Sequence, residues 1–332
     1  MKRKRLLFAG MVIALIAGLL IPSVALATKP DAKPHATDVE IVKKVGVKGG
    51  PSPRGGGGRP GPLATTGILG EEVTGTRYAI IVGISDYAVD EYNLQYADDD
   101  AYALKELLEG VYYFDEDNIE MLVNEEATRE AILGAITGLP PLTEDDEVVF
   151  SFSGHGARGR VADGDKEAID EGIVPYECTP EAVIWDGELK EAFSEFATVR
   201  IVFIFDSCLA GGMTDLEGDD RIILMACTEN GYSAEIGEAY GQPPPFINHG
   251  LLTFFLILGV DPELVGWEGL LPPGLADFCD HDGDEILGEP SDVTVEEAFD
   301  YARGCVVGLS RTTPILMQTP TISDSFGGDL LP

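Results

Sequence analysis

The sequence predicts an α/β fold built on a mostly parallel sheet with helices on both faces. Two observations support this prediction. Short apolar runs alternate with stretches of helical period over residues 77–306, which implies crossover connections between parallel strands. The runs are apolar at consecutive positions, as expected of strands that helices cover on both sides.

Five segments have the composition of buried strands. Each is a short run rich in Val, Ile, Leu, Met or Phe that stops at a residue typical of strand ends or turns, or at a cysteine. In chain order, the predicted strands are 77–84, 118–124, 146–156, 200–208 and 221–227.

Helices are predicted between and after these strands. The first begins in an Asp-rich stretch, which suits a helix N-terminus, and Thr128 is placed to cap the second. Residues 250–260 are apolar throughout but too short for a membrane span, which favours a buried helix. The predicted helices are 98–112, 127–139, 186–196, 249–260 and 294–306.

Two segments precede the predicted domain. Residues 1–27 combine a basic start, an apolar stretch and a small-x-small site at Ala25–Ala27, the pattern of an export signal. This predicts a secreted or cell-surface protein, and contact with a membrane only if the segment stays as an uncleaved anchor. Residues 28–76 are rich in Gly and Pro and predict a flexible linker or pro-segment. The predicted domain covers residues 77–332.

The predicted domain is strongly acidic. The chain has a formal net charge of −36, and because residues 1–77 hold 12 basic and 5 acidic residues, residues 78–332 carry −43. Such a surface repels nucleic acid and anionic membranes and attracts cations and basic peptides. Solubility in a salty habitat is an alternative reason for the excess.

A histidine and a cysteine follow two of the predicted strands. His155 lies between two glycines in "SFSGHG", and Cys208 stands in "FDSCLAGG". Carboxyl ends of parallel strands meet at one edge, where ligands bind. An imidazole there can deprotonate a thiol and later protonate a leaving amine. Backbone N–H groups of Cys208 and near Gly156 are candidate oxyanion donors. The alternative is a buried cysteine and a turn histidine that never meet.

These two motifs resemble those of the caspase-like cysteine peptidases, the group of caspases, metacaspases, legumain and gingipains. "RYAIIVGISDY", "LQYADDDAYAL" and "DEGIVPYE" extend the resemblance, in order, over most of residues 77–260. "DSCLAGG" is closer to metacaspases and their prokaryotic relatives than to animal caspases. The resemblance implies a caspase-like α/β/α sandwich and a Cys–His dyad of Cys208 and His155.

The resemblance also implies an acidic S1 pocket that favours Arg or Lys at P1. Asp206 and Ser153 each stand two residues before a dyad residue, and alternation along an extended chain places them on the same side. Asp100 matches the acidic position of metacaspases, although neighbouring Asp98 and Asp99 leave the register open. Asp100 is equally explained as an acid at a helix N-terminus. Arg158 and Arg160 keep open an acidic P1 residue.

An acidic stretch at residues 279–299 resembles a calcium loop. Asp280, Asp282 and Asp284 have the 1, 3, 5 spacing of such loops. The sixth and twelfth positions depart from the pattern, so Glu297 is the candidate closing ligand and Glu296 its rival. A calcium ion here would be structural or regulatory, and a solvated acidic turn is the alternative. Cys279 and Cys305 flank the stretch and are a candidate disulfide pair.

The sequence therefore predicts an exported endopeptidase of protein or peptide substrates, monomeric, with no cofactor required for the chemistry itself. Arg54, Arg59 and Arg77 are candidate sites of self-cleavage ahead of the domain. Two other functions stay open. One is an inactive caspase-fold module that binds calcium or a partner protein. The other is a transpeptidase or ligase that uses the same thioester intermediate.

Overall fold

All five predicted strands lie side by side in a central sheet of six strands. A computed structural model describes residues 36–46, 63–161, 169–196, 199–237, 247–267, 269–278, 289–312 and 318–332. The strands are β1 (Thr37–Val42), β2 (Val45–Gly46), β3 (Arg77–Gly83), β4 (Ile119–Val123), β5 (Glu147–Ser153), β6 (Gly156–Arg160), β7 (Asp170–Ile173), β8 (Ile184–Trp185), β9 (Arg200–Asp206), β10 (Arg221–Met225), β11 (Ala234–Ile236), β12 (His249–Gly250) and β13 (Thr321–Asp324).

The central sheet has the order β13-β10-β9-β5-β3-β4. Its pairs are parallel, except that β13 runs antiparallel to β10 at one edge. β5 and β9 are neighbours, and Ser153 at the end of one pairs with Asp206 at the end of the other. The residues that follow these two strands are therefore brought to adjacent turns.

Helices cover both faces of the central sheet, as predicted. They are α1 (Ala97–Gly110), α2 (Arg129–Thr137), α3 (Asp186–Ala192), α4 (Leu251–Val260) and α5 (Val295–Thr312). α1, α4 and α5 pack into an apolar core on one face, and α2 and α3 into a second core on the other. Thr128 caps α2 by accepting the N–H of Ala131 at 3.2 Å, as predicted. Among the described helices, none has both the length and the apolar character needed to cross a membrane.

Two smaller sheets lie beside the edge of the central sheet at which β5 and β9 end. One is antiparallel with the order β1-β6-β7-β8, and the other has the order β12-β11-β2. β1 and β2 are consecutive in the chain but belong to different small sheets. The segment Thr37–Gly46 therefore bridges the two sheets across the turns that follow β5 and β9.

The described part of residues 28–76 differs from the predicted flexible linker. Thr37–Gly46 forms β1 and β2, and residues 66–70 turn against the chain's end, where the Asp329 carboxylate accepts the N–H groups of Thr66 and Gly67 at 2.7 and 2.9 Å. The stretch "TDVEIV" has the apolar alternation typical of a strand, and it pairs antiparallel with β6. Arg77 is the first residue of β3, so cleavage after it would require a central strand to leave the sheet. Arg54 and Arg59 lie outside the described residues.

The described cysteines are not paired. Cys178, Cys208 and Cys227 are buried thiols, and Cys305 is a half-buried thiol in α5. Cys279, the candidate partner of Cys305, lies outside the described residues.

Candidate active site

The turns that carry His155 and Cys208 touch each other. The N–H of Gly154 donates to the carbonyl of Asp206 at 3.3 Å, which joins the two strand ends. A Cβ atom at Gly156 would lie 2.0 Å from the carbonyl oxygen of Cys208. Only glycine permits this approach of the two backbones. The structure therefore brings together the predicted dyad and the backbone of both candidate oxyanion donors.

The imidazole of His155 is held in one orientation. Its Nε2 lies 2.7 Å from the carbonyl oxygen of Tyr92, which only an Nε2–H can satisfy. The ring of Tyr87 stacks on it at 4.9 Å between centroids, and the Tyr87 hydroxyl accepts the His155 N–H at 2.8 Å. Nδ1 is then the unprotonated nitrogen, and the Tyr92 carbonyl fixes this tautomer.

Residues 43–45 cover this dyad. The N–H of Lys44 donates to Nδ1 of His155 at 2.8 Å, and the Cys208 thiol donates to the carbonyl of Lys43 at 3.3 Å. The N–H of Ser233 donates to the same sulfur at 3.3 Å. His155 and Cys208 are each 1% exposed, and residues 43–45 of the same chain contact both.

Burial sets the protonation of the covered dyad. It lowers the pKa of His155 to about 4, and Lys44 and Lys43 act in the same direction although the Tyr92 carbonyl opposes them. Burial raises the pKa of the Cys208 thiol to about 12, against the bond from Ser233 and the charge of Lys44. Both groups are therefore neutral at pH 7, so the covered site holds a thiol and an uncharged imidazole.

The three residues predicted to line S1 meet around one ammonium group. Lys44 Nζ lies 2.9 Å from Asp206 Oδ1 and 3.6 Å from Asp100 Oδ2. It donates to Ser153 Oγ at 3.1 Å and to the Asp206 carbonyl at 3.0 Å. The Lys44 side chain is 0% exposed. An acidic pocket beside the dyad is thus filled by a lysine of the same chain.

Residues that sequence reasoning missed hold the pocket carboxylates in place. Thr253 donates its N–H and its hydroxyl to Asp206 Oδ2, each at 3.0 Å, and the Ser233 hydroxyl donates to Oδ1 at 2.5 Å. These two residues follow β12 and precede β11, so they reach the pocket from elements far along the chain. No signal in the sequence marks either one.

Asp100 is fixed in the same manner. Its Oδ1 lies 3.0 Å from His249 Nδ1 and accepts the Gly250 N–H at 2.9 Å, while Ser153 donates to Oδ2 at 2.6 Å. The sequence predicts His249 and Gly250 only as the start of the helix 249–260. A Cβ at Gly250 would lie 2.5 Å from Lys44 Nζ, so this glycine makes room for a basic side chain.

The pocket charges stabilise each other. Burial alone would raise the pKa of Asp100, but Lys44, His249 and Ser153 leave it below its ordinary value. Burial alone would lower the pKa of Lys44, but Asp206, Asp100 and Glu235 leave it above its ordinary value. Lys44 and Asp100 are therefore both charged in the pocket.

The other basic and acidic candidates lie elsewhere. Asp98 interacts with Ser85 and Asn124, and Asp99 is exposed, so Asp100 alone of the three enters the pocket. Arg158 and Arg160 point to β1, where they pair with Glu40 at 2.8 Å and Asp38 at 3.6 Å. They do not line the pocket, which removes the reason for an acidic P1 residue.

The described residues supply few candidates for a calcium loop. Asp280, Asp282 and Asp284 lie outside them. Glu297 accepts the Thr294 N–H at 2.9 Å, and its own N–H donates to Thr294 Oγ1 at 3.3 Å, which is a capping box at the start of α5. Its rival Glu296 accepts the Leu330 N–H at 2.9 Å, and burial raises its pKa to about 9. In the described ranges, no group of three or more His, Cys, Asp or Glu side chains is arranged to hold a metal ion.

A second buried acidic group lies beside the nucleophile turn. Asp186 at the start of α3 is 1% exposed, and its Oδ2 has no hydrogen-bond partner. Burial, together with the charges of Asp215, Asp170 and Glu171, raises the pKa of Asp186 to about 8. Glu171 in turn packs against Gly212, four residues after Cys208. We call Asp170, Glu171, Asp186 and Asp215 together the acidic group.

Comparison with known proteins places both strand ends of the site within one family match. Residues 77–217 match the metacaspase, peptidase C14 domain. The chain is 28% identical over 170 residues to metacaspase III c of Phaeodactylum tricornutum, which covers 47% of this chain and 50% of that protein. It is 30% identical over 155 residues to metacaspase-1 of Arabidopsis thaliana, which covers 43% of this chain and 41% of that protein.

Among solved structures, the Drosophila initiator caspase Dronc aligns at a TM-score of 0.46 and 17% identity, over 88% of this chain and 97% of that one. The chain spans half or less of the length of the curated relatives named above. The matched residues nevertheless include both strands of the site, the turn of His155 and the turn of Cys208. Residues 77–217 of this chain are therefore similar to the metacaspase, peptidase C14 domain.

Proposed function

We propose that this protein is a cysteine endopeptidase that cleaves after Lys or Arg, with Cys208 as nucleophile and His155 as acid and base. The observation that carries the proposal is the position of Lys44, whose ammonium lies 2.9 Å from Asp206 while its backbone N–H reaches His155. A peptide with a basic side chain at that place has its backbone beside both dyad residues.

The proposed chemistry begins when residues 43–45 leave the cleft. Nδ1 of His155 then loses the hydrogen bond from Lys44, and the Tyr92 carbonyl keeps Nε2 protonated. Nδ1 takes the proton of Cys208, and the thiolate attacks the carbonyl carbon of the P1 residue. The imidazolium protonates the leaving amine, and water hydrolyses the thioester. Backbone N–H groups of Cys208 and Gly156 would stabilise the oxyanion.

The proposed specificity follows from the geometry of the pocket. A carboxylate, a second carboxylate, a hydroxyl and a backbone carbonyl surround Lys44 Nζ. All four groups accept hydrogen bonds or carry negative charge, so they suit an ammonium or a guanidinium. An aspartate at P1 would be repelled by Asp206 and would leave its own charge unpaired.

The test uses peptides that end in Lys, Arg or Asp before a fluorogenic amide. The full chain is compared with Cys208→Ala and with Asp206→Ala. We expect cleavage after Lys and Arg, complete loss in Cys208→Ala, and a fall of about a hundredfold or more in kcat/KM in Asp206→Ala, because one carboxylate of the pocket is lost. Cleavage after Asp that persists in Asp206→Ala would overturn the assignment of the pocket.

Hydrolysis and ligation share the thioester, so the same assay is repeated with an amine acceptor peptide. A ligated product in excess of hydrolysis would favour the transpeptidase reading. The inactive-module reading predicts that Cys208 reacts with a thiol-directed peptide no faster than a free cysteine. The intact dyad and the lysine-filled pocket support an active enzyme in preference to the inactive module.

Calcium dependence is proposed as a regulatory property of the 279–299 stretch, where Asp280, Asp282 and Asp284 have the 1, 3, 5 spacing that suits a calcium ion. Calcium binding by calorimetry is compared for the wild type and Asp282→Asn. Loss of binding in the variant supports this stretch, and unchanged binding would exclude Asp282 as a ligand.

Export and a monomeric state complete the proposal. Residues 1–27 support export through their basic start and their apolar stretch. N-terminal sequencing of the protein recovered outside the cell is expected to begin after Ala27. Gel filtration with light scattering is expected to give the mass of one chain.

A further inference from the structure

The segment Thr37–Gly46 enters the cleft in the direction opposite to a substrate. In a substrate, the residue whose side chain fills S1 presents its own carbonyl to the thiol, and the next residue's nitrogen leaves. Here Lys44 fills the pocket, but the carbonyl at the Cys208 thiol is that of Lys43, one residue earlier. The residue after Lys44 turns away from the dyad, since the Val45 N–H donates to Ser233 O at 2.9 Å.

The strand pairing confirms this polarity. Val45 and Gly46 run parallel to β11, opposite Ala234 and Glu235. A substrate with Lys44 in S1 and its following bond at the dyad would place its preceding residues along β11, and so would run antiparallel to that strand. The observed segment places its following residues there. The Lys44–Val45 bond is therefore held away from the nucleophile.

The bond that does face the dyad is also unreactive. The Lys43–Lys44 amide donates its N–H, in the peptide plane, to Nδ1 of His155. This occupies the lone pair that must accept the proton of Cys208. The thiol donates in turn to the Lys43 oxygen at 3.3 Å, whereas attack needs a thiolate lone pair directed at the carbonyl carbon. Lys43 itself is outside the pocket, with its Nζ 4.3 Å from the ring centroid of Tyr92.

Further contacts hold the segment in this direction. β1 pairs antiparallel with β6 from Thr37–Arg160 to Val42–Gly156, and Arg158 pairs with Glu40 at 2.8 Å. The chain is thus anchored on both sides of Lys44, by β6 before it and by β11 after it.

We propose that Thr37–Gly46 is a built-in inhibitor bound in reverse, and that the cleft has a second class of ligand: extended peptides with a lysine in S1 that run parallel to β11 and resist cleavage. The inhibitory role of the segment rests on the proposed function, whereas its occupation of the cleft does not, because occupation is measurable without turnover.

The experiment measures the rate at which iodoacetamide alkylates Cys208 in the full chain, with buried Cys227 as internal reference. Lys44→Ala removes the pocket contact, and Val45→Pro removes the N–H that binds Ser233. Lys105→Ala is the matched control, because this lysine lies in α1 and pairs with Glu109 at 3.2 Å. We expect both test variants to raise the rate at Cys208 about tenfold or more, because local opening of the segment controls access. Lys105→Ala should stay within about twofold of the wild type. An unchanged rate in both test variants, or a parallel rise at Cys227, would overturn the proposal.

The polarity is tested with a free peptide of residues 37–46, TDVEIVKKVG. Added to the Lys44→Ala variant, it should slow alkylation of Cys208 and be recovered intact by mass spectrometry, and the same peptide with alanine for Lys44 should not protect. A wild-type chain or free peptide cut after Lys43 or Lys44 would overturn the reversed direction. If alkylation responds as expected but no fluorogenic peptide is cleaved by any variant, the peptidase function fails and the reversed ligand site stands.

Discussion

Two groups of acidic side chains lie close to the turn of Cys208. Burial has opposite outcomes for the pKa of a carboxyl group in the two. In the S1 pocket, Lys44, His249 and Ser153 leave the pKa of Asp100 below its ordinary value. In the second group, burial and the charges of Asp215, Asp170 and Glu171 raise the pKa of Asp186 to about 8, and its Oδ2 has no hydrogen-bond partner among the described residues. A buried carboxylate is thus either paired or protonated.

The largest expected effect comes from breaking the paired group. Asp206→Asn leaves Lys44 Nζ with one carboxylate at 3.6 Å and a neutral amide in place of the other. Removing one partner of a buried ion pair costs about 3–5 kcal/mol. The free energy of unfolding in urea at pH 7 measures this loss. A loss below about 1 kcal/mol would mean that Lys44 moves into water and that the pocket is easily vacated.

The second effect concerns the shape of the pocket and not its charge. A Cβ at Gly250 would lie 2.4 Å from Asp206 Oδ2 and 2.7 Å from Asp100 Oδ2. Gly250→Ala is expected to exclude basic side chains and to lower kcat/KM on lysine peptides about a hundredfold, because misplacement by about an ångström has that effect. Gly304→Ala in α5 is the control, since nothing lies within 4 Å of its added Cβ. Equal effects of the two variants would contradict a specific role for Gly250.

The third effect separates the two groups by pH. The folded-state pKa of Asp186 lies above its ordinary value of 3.8, so its contribution to stability is complete below about pH 4 and is lost as the pH rises through 8. For Asp100, whose folded-state pKa is lowered, the contribution is present above its ordinary value and is lost on acidification.

Asp186→Asn mimics the protonated acid and should remove the first of these slopes, which is at most about 1.4 kcal/mol per pH unit for one proton. Urea unfolding at intervals between pH 5 and 8 should therefore give a flatter profile for the variant than for the wild type. Identical profiles would mean that Asp186 is ionised when buried, and the contrast between the two acidic groups would fail.

The smallest effect is expected at an ion pair that is not buried. Arg158 and Glu40 join β6 to β1 with side chains 38% and 58% exposed. Glu40→Gln should cost less than about 1 kcal/mol, because water screens such pairs. Urea unfolding checks the value, and a loss as large as that of Asp206→Asn would show that anchoring of β1, and not the pocket, stabilises the segment.

The central sheet was predictable from the sequence because its strands are buried on both faces. Each is therefore a continuous apolar run, which can be recognised without knowing the strand it pairs with. Alternation along the extended chain predicts Ser153 and Asp206 on the side of the dyad, and the resemblance to metacaspases implies Asp100. Which of Asp98, Asp99 and Asp100 enters the pocket depends on the rotation of α1, and that required the structure.

The covered state of the dyad was not predictable from pattern. "IVKKVG" has a β-strand alternation, but it stands in a Gly- and Pro-rich region, and its partners are distant: the histidine that Lys44 contacts is 111 residues away. His249 and Thr253 were hidden for a similar reason. They lie at the start of the predicted helix 249–260. Its apolar composition predicts burial but does not indicate a polar contact with Asp100 or Asp206.

The anchors on either side of the stretch between Gly46 and Leu63 have a kinetic consequence. Thr66 and Gly67 are hydrogen-bonded to Asp329. The segment that carries Lys44 therefore stays attached to the domain after it leaves the S1 pocket, and it rebinds as an intramolecular ligand. Its effective concentration is then on the order of millimolar. A cut within this stretch, which contains Arg54 and Arg59, would end that advantage and leave a fragment that dilution carries away. Release of the cleft would then be irreversible.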